Sequence, residues 1–182
     1  MKKTETKKLE TKKLVLSGVF LALGLVLPFL TMQMQSLGSM LLPMHLPVLL
    51  CGFICGAPYG LIVGFVTPLL RSVLFGMPKL LPMASAMAFE LAAYGFLAGI
   101  CYKMLAGKRE VLRTYASLIL SMLGGRLVWA VAAKIFYTMA GMGFTAEIFL
   151  AGAFLNAVPG IIIQLILIPV ILLALKKAKY IE

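Results

Sequence analysis

Six stretches of nearly unbroken apolar residues run along the chain: Leu14–Thr31, Leu41–Gly56, Tyr59–Phe75, Pro82–Leu105, Tyr115–Ala140 and Ile148–Leu175. A hydrocarbon core of about 30 Å takes roughly 20 apolar residues at 1.5 Å each, so every stretch is near the length of a membrane span. Breakers fall between them, with Gly56-Ala57-Pro58 dividing the second from the third and Gly76-Met77-Pro78 standing ahead of Pro82. The pattern predicts an all-α integral membrane protein with six transmembrane helices. A single membrane domain would cover 14–175, flanked by basic tails at 1–13 and 176–182.

Composition agrees: 62% of residues are hydrophobic, 13% are charged and the mean hydropathy is +1.05, far from the mix of a soluble domain. Six spans with short loops use nearly all of the 182 residues and leave no separate soluble domain. The chain has no G-x-x-x-x-G-K-[ST] stretch to cradle nucleotide phosphates. Any ATP is therefore expected to be used by partner ATPases, and the chain itself is expected to bind no cofactor and no metal.

The net charge of +11 would suggest nucleic acid in a soluble protein. Here Lys2, Lys3, Lys7, Lys8, Lys12 and Lys13 form a near-repeat, KKTET-KKLET-KKL, directly before the first apolar run, as a cytoplasmic flank does. A secretory signal would pair such lysines with a short apolar core and a small-residue cleavage site, whereas Leu14–Thr31 is span length and is followed by TMQMQS. The first helix is expected to be retained. The odd cysteine count (Cys51, Cys55, Cys101) argues against a disulfide framework and for small apolar side chains on packed helices.

With the amino terminus inside, the inner segments hold those six lysines, then Lys103, Lys108, Arg109 and Arg113, then Lys176, Lys177 and Lys179, while the outer loops hold only Lys79. A thirteen-to-one split predicts an even number of spans with both termini cytoplasmic, in the plasma membrane of a prokaryote.

Topology converts sequence position into depth. Arg71, Glu90, Arg126 and Lys134 are ionisable groups inside the apolar runs, where such groups are costly and mark function. Arg71 lies just below the outer end of span three, and Glu90 about 12 Å below the outer end of span four. Lys134 is in the outer part of span five, with Trp129 and Arg126 one and two turns deeper. His45 is near the outer end of span two, Asn156 is inside span six, and Gln164 is two turns further in. Most of this polarity shares the outer half of the bundle, as in one outward-facing pocket. The alternative readings, snorkelling to head groups for Arg71 and Lys134 and bonding between helices for Asn156, are the lesser ones.

Arg126 is too deep to snorkel easily, and Glu90 is the only embedded carboxylate available to it. One glutamate cannot neutralise three cations, so the surplus predicts an anionic or strongly hydrogen-bonding substrate. Trp129, the only tryptophan, suits either an interface anchor or a stacking wall. The polar stretch 31–39, with Gln33 and Gln35, suits a lid or a plain connection. The loop 76–82 carries Lys79 between prolines and suits a stiff rim. Gly18 and Ala22 give span one a small-x-x-x-small face, and Gly52, Gly56, Gly60 and Gly64 recur every fourth residue, as close helix packing requires.

Four motifs, LPMHLPVLLCG at Leu42–Gly52, YGxxVGFxxPLLRS at Tyr59–Ser72, GMPxLxP at Gly76–Pro82 and AMAFELAxYG at Ala86–Gly95, together with the basic amino terminus and small-residue first span, resemble the substrate-binding S components of energy-coupling factor (ECF) vitamin transporters. The likeness covers essentially the whole chain and is similar to the subgroup that takes folate and pantothenate. It implies a six-helix, non-enzymatic protein that binds a scarce micronutrient on the outer face. It also implies a membrane T component and two cytoplasmic ATPases as partners that drive release inside. In that family small residues of the first helix contact the T component; Gly18 and Ala22 match, while Val26 stands where a third small residue would continue the row.

The site residues expected to touch substrate are Gln33, Gln35, His45, Arg71, Lys79, Glu90, Arg126, Trp129, Lys134 and Asn156. The cationic surplus favours an acid, and the scarcity of outer aromatics favours pantothenate narrowly over a large stacked pterin such as folate, with pyridoxine, the thiamine pyrimidine, cobalamin and a queuosine precursor as the open alternatives. The rival is an autonomous proton-coupled carrier using Glu90, or an intramembrane enzyme. Against the enzyme, His45 has no H-E-x-x-H spacing and no cysteine or serine partner in sequence. Against the carrier, the chain shows no inverted repeat.

Overall fold

A computed structural model of the chain describes residues 2–31, 38, 40–143, 145, 150 and 157–178. Among them, every regular element is helical: α1 (Lys2–Val26), α2 (His45–Cys55), α3 (Ala57–Phe75), α4 (Ser85–Met104), α5 (Glu110–Met139) and α6 (Val158–Lys177). A 3-10 turn, Leu27–Thr31, extends α1. A short turn, Leu80–Ala84, leads into α4 and is broken at the extended residue Leu81. The peptide bonds before Pro78 and Pro82 are cis.

Five of these segments are long and apolar enough to cross a membrane. The exception is α2. Its 11 residues rise only about 16 Å, so the second predicted span is a short helix, and a turn at 43–44 precedes it. Pro43 and Pro47 flank its start, where proline lacks the N–H a preceding turn would need. The first predicted span also differs, since α1 continues unbroken from the lysine-rich tail into the apolar run. Good helix formers (Lys, Glu, Leu) fill that tail.

The turns between helices follow from glycine. Gly56 has φ +99°, a conformation that side chains disfavour, and Pro58 then sits in the first turn of α3. Gly76, at φ +70°, ends α3 by donating its N–H to the Ser72 carbonyl at 2.9 Å.

Helix α4 is the most buried of the long helices and α1 the least. Packing is closest where α2, α3 and α4 meet. A Cβ on Gly52 would lie 2.3 Å from the Gly95 carbonyl oxygen, one on Gly64 2.2 Å from that of Leu91, and one on Gly99 2.3 Å from the Ala57 nitrogen. Three of the row, Gly52, Gly60 and Gly64, therefore serve packing within the bundle, where backbones touch and dispersion replaces the missing hydrophobic drive, while Gly56 makes the turn. The row on α4, Gly95 and Gly99, completes it.

One end of the bundle gathers the basic groups. Tyr102 on α4 donates to Glu110 on α5, Arg113 Nε donates to the Tyr102 carbonyl at 2.6 Å, and Lys176 Nζ of α6 lies 3.1 Å from Glu110 Oε2. Phe53 packs edge-on to Tyr102 with centroids 5.2 Å apart, so α2 ends there too. These contacts make α4 and α5 antiparallel, α5 and α6 antiparallel, and α2 parallel to both α4 and α6.

Candidate functional site

Toward the opposite end, three helices bring His45, Glu90 and Arg126 together. Arg126 Nη1 donates to Glu90 Oε1 at 2.8 Å, and His45 Nε2 lies 3.4 Å from the same oxygen without the alignment of a hydrogen bond. All three are buried, at 6%, 2% and 2% exposure, which is why each needs a partner of opposite charge or matching polarity. The Glu90–Arg126 pair is the one that sequence reasoning anticipates, from the cost of an unpaired arginine in a bilayer.

Tyr94, one turn after Glu90, completes the cluster and was absent from the sequence-based set. Its ring meets His45 edge-on at 5.1 Å between centroids, and the Arg126 guanidinium faces it at 6.0 Å, the outer limit of a cation–π contact. Gly125 lets this ring approach: a Cβ there would lie 2.7 Å from Tyr94 Cδ2. The Glu90-x-x-x-Tyr94 spacing, one helical turn on one face, was the available signal.

Several groups in the cluster keep unused bonding capacity. Arg126 Nε and Nη2 and His45 Nδ1 are buried and have no hydrogen-bond partner among the described residues. A guanidinium with one nitrogen fixed by a carboxylate and a free Nε–Nη2 edge is preorganised for a second bidentate acceptor.

Arg71 is placed elsewhere. It is 3% exposed, so it does not snorkel. Its Nη1 donates to the Leu25 carbonyl at 2.5 Å, and its guanidinium rests beside the edge-on pair Phe29 and Phe75, 5.1 and 5.4 Å from their ring centroids. Leu25 is in the last turn of α1, where carbonyls lose their helical partners, and Arg71 supplies one. Lys134 and Lys79 are exposed. Trp129 is half-buried and packs on the cluster of Ala86, Ala132 and Ala133. Gln33, Gln35 and Asn156, with the polar stretch that contains the two glutamines, lie outside the described residues.

The cationic surplus is thereby smaller than the sequence suggests. With Arg71 on a carbonyl and both lysines exposed, Glu90 balances Arg126. The capacity for an acceptor in this cluster lies in the free edge of Arg126 and in His45, not in three uncompensated charges. Among the described residues, no group of three or more His, Cys, Asp or Glu side chains is placed to hold a metal.

Gly18 and Ala22 share the exposed side of α1 with Leu14, Val15, Val19 and Leu23, and a Cβ on Gly18 would meet nothing within 4 Å. Ser17, Phe20 and Gly24 face the bundle instead. The small-residue pair is thus on the face of α1 left open to lipid or to another protein.

No curated protein and no solved structure gives a significant match to the chain. A protein-family profile does, over residues 12–172, and its description is "ECF transporter, substrate-specific component". The match takes in all six helices and the His45–Glu90–Arg126 cluster, and the components it describes are non-enzymatic membrane subunits that bind the transported substrate. The chain belongs to the family of substrate-specific components of ECF transporters.

Proposed function

We propose that this chain is the high-affinity binding subunit of an ECF-type importer for a water-soluble vitamin or related micronutrient, with pantothenate the favoured ligand. The observation that carries the site is the buried Arg126, held by Glu90 at 2.8 Å with its Nε and Nη2 unpaired. A ligand carboxylate on that edge would form the paired, charge-assisted bonds that a guanidinium fork favours. His45 Nδ1 and the Tyr94 ring supply polar and apolar walls for the rest of the molecule. Pantothenate offers a carboxylate and a small, flexible body.

In the membrane the chain would make six crossings, α2 and the residues before it forming the shortest, with both termini in the cytoplasm of a prokaryotic cell. The basic end of the bundle then faces inward, as the positive-inside rule requires, and the Arg126 cluster lies in the outer half. The exposed face with Gly18 and Ala22 would receive the T component, because small residues let a second helix approach closely. Two cytoplasmic ATPases would consume the ATP, and this chain would bind no cofactor.

Native mass spectrometry of the purified protein tests the ligand. A copurifying mass equal to pantothenate is expected; a different vitamin replaces that assignment while keeping the importer. Uptake by vesicles that contain this chain alone, with and without a proton gradient, tests the transport class. Strong gradient-driven uptake without partners would contradict a binding subunit.

A further inference from the structure

Resting on the proposed binding role, we infer that the site continues inward from Arg126 to Gln164 on α6, and that this inner end takes an amide or lactam group of the substrate. Gln164 is 1% exposed, and both its amide nitrogen and its amide oxygen are without hydrogen-bond partners among the described residues. A buried primary amide left with two unpaired atoms is costly unless something else meets them. Its neighbours along α6, Ile161, Leu165 and Ile168, belong to or pack against the main apolar core, so none of them can bond its amide.

Helix register places Gln164 beside the Arg126 cluster. A Cβ on Gly160 would lie 2.7 Å from the Met40 carbonyl oxygen and 2.9 Å from that of Leu41. The turn at 43–44 carries the chain from Leu41 to His45 at the start of α2, so Gly160 stands near the level of His45, and Gln164 is one turn further in along α6. On the other side, Lys176 meets Glu110. Stepping equal numbers of residues along the antiparallel α6 and α5 from that pair sets Gly160 across from Arg126.

Side chains lean toward the amino terminus of their helix. Arg126 therefore leans inward and Gln164 outward, and the two converge. Among the described residues, the unpaired atoms of these side chains are Arg126 Nε and Nη2, both His45 ring nitrogens and both Gln164 amide atoms.

The chemistry of these atoms defines the ligand. The Arg126 edge donates twice and suits an anion. Gln164 donates and accepts, which suits a group with both N–H and C=O. A lactam presents the two on one edge to Gln164 alone, whereas a trans amide is bridged between Gln164 and His45.

Equilibrium binding of pantothenate, folate and pyridoxine to the purified full chain, as wild type and as Gln164→Leu, tests this. Pantothenate and folate carry an amide or lactam and a carboxylate; pyridoxine carries neither. The wild type is expected to bind one of the first two. Gln164→Leu should weaken that binding roughly tenfold or more while its melting temperature stays equal or rises, since no protein group loses a partner. Should Gln164→Leu fold poorly, Gln164→Met, closer in shape, carries the same expectation. Tightest binding of pyridoxine, or an affinity within about twofold of wild type in a folded variant, overturns the inner subsite but leaves the importer role intact. Binding of none of the three overturns the subsite together with the vitamin assignment on which it rests.

Discussion

Replacing Gly95 by alanine asks for space that the bundle does not have. The new Cβ would lie 2.2 Å from the Gly60 carbonyl oxygen and 2.4 Å from its carbon, and the reciprocal change at Gly60 would meet the Gly95 oxygen at 2.5 Å. Ordinary contact begins at 3.4 Å, so α3 and α4 must part by about 1 Å. No side chain can rotate to absorb this, because the atoms in the way are backbone. Overpacking costs about 1–3 kcal/mol, and rigid backbone puts Gly95→Ala at the upper end. For a chain of this size that is a fall in melting temperature of roughly 5–10 °C, readable by thermal shift in detergent. Gly18→Ala is the control: with nothing within 4 Å, it should melt no lower than wild type, because alanine is the better helix former. A Gly95→Ala protein melting within about 1 °C of wild type would refute backbone contact between α3 and α4.

Other substitutions separate structural from binding roles. Glu90→Gln leaves Arg126 buried without its counter-charge and should cost about 3–5 kcal/mol in thermal melts; the double variant Glu90→Leu/Arg126→Met should recover much of that stability yet bind no ligand. Arg71→Met removes a charge-assisted bond to the Leu25 carbonyl and should lower stability by about 1.5–3 kcal/mol with ligand affinity unchanged, checked by melting and titration together. Gly18→Leu should leave melting and affinity as they are but reduce recovery of the T component in pull-downs, along with uptake in cells.

How much of this was legible in the sequence depends on what each residue pairs with. The Glu90–Arg126 pair was readable because a bilayer makes an isolated charge costly and the chain offers a single embedded carboxylate. The partner of Arg71 was not, because it is a backbone carbonyl, freed by the end of α1, and composition cannot reveal where a helix ends inside an apolar run. The Gly52–Gly64 row announced close packing, but its counterpart on α4 appears only once α2, α3 and α4 are docked. The second apolar run is broken for a related reason: hydropathy continues through Leu42–Met44 although helix does not, and the prolines at 43 and 47 were the missed signal. Gln164 was visible as an embedded polar residue but without a partner to give it a role, and Tyr94 gains meaning only from the packing that sets its ring against His45.

The most direct test is titration of the purified wild-type chain, free of ATP and partner subunits, with pantothenate, alongside an Arg126→Ala variant whose folding is verified by size-exclusion and melting. Saturable one-to-one binding to the wild type is expected, weakened about a hundredfold or more in Arg126→Ala, since a charge-assisted bidentate contact is lost. Wild-type affinity in a folded Arg126→Ala protein would contradict the assignment of this cluster as the binding site.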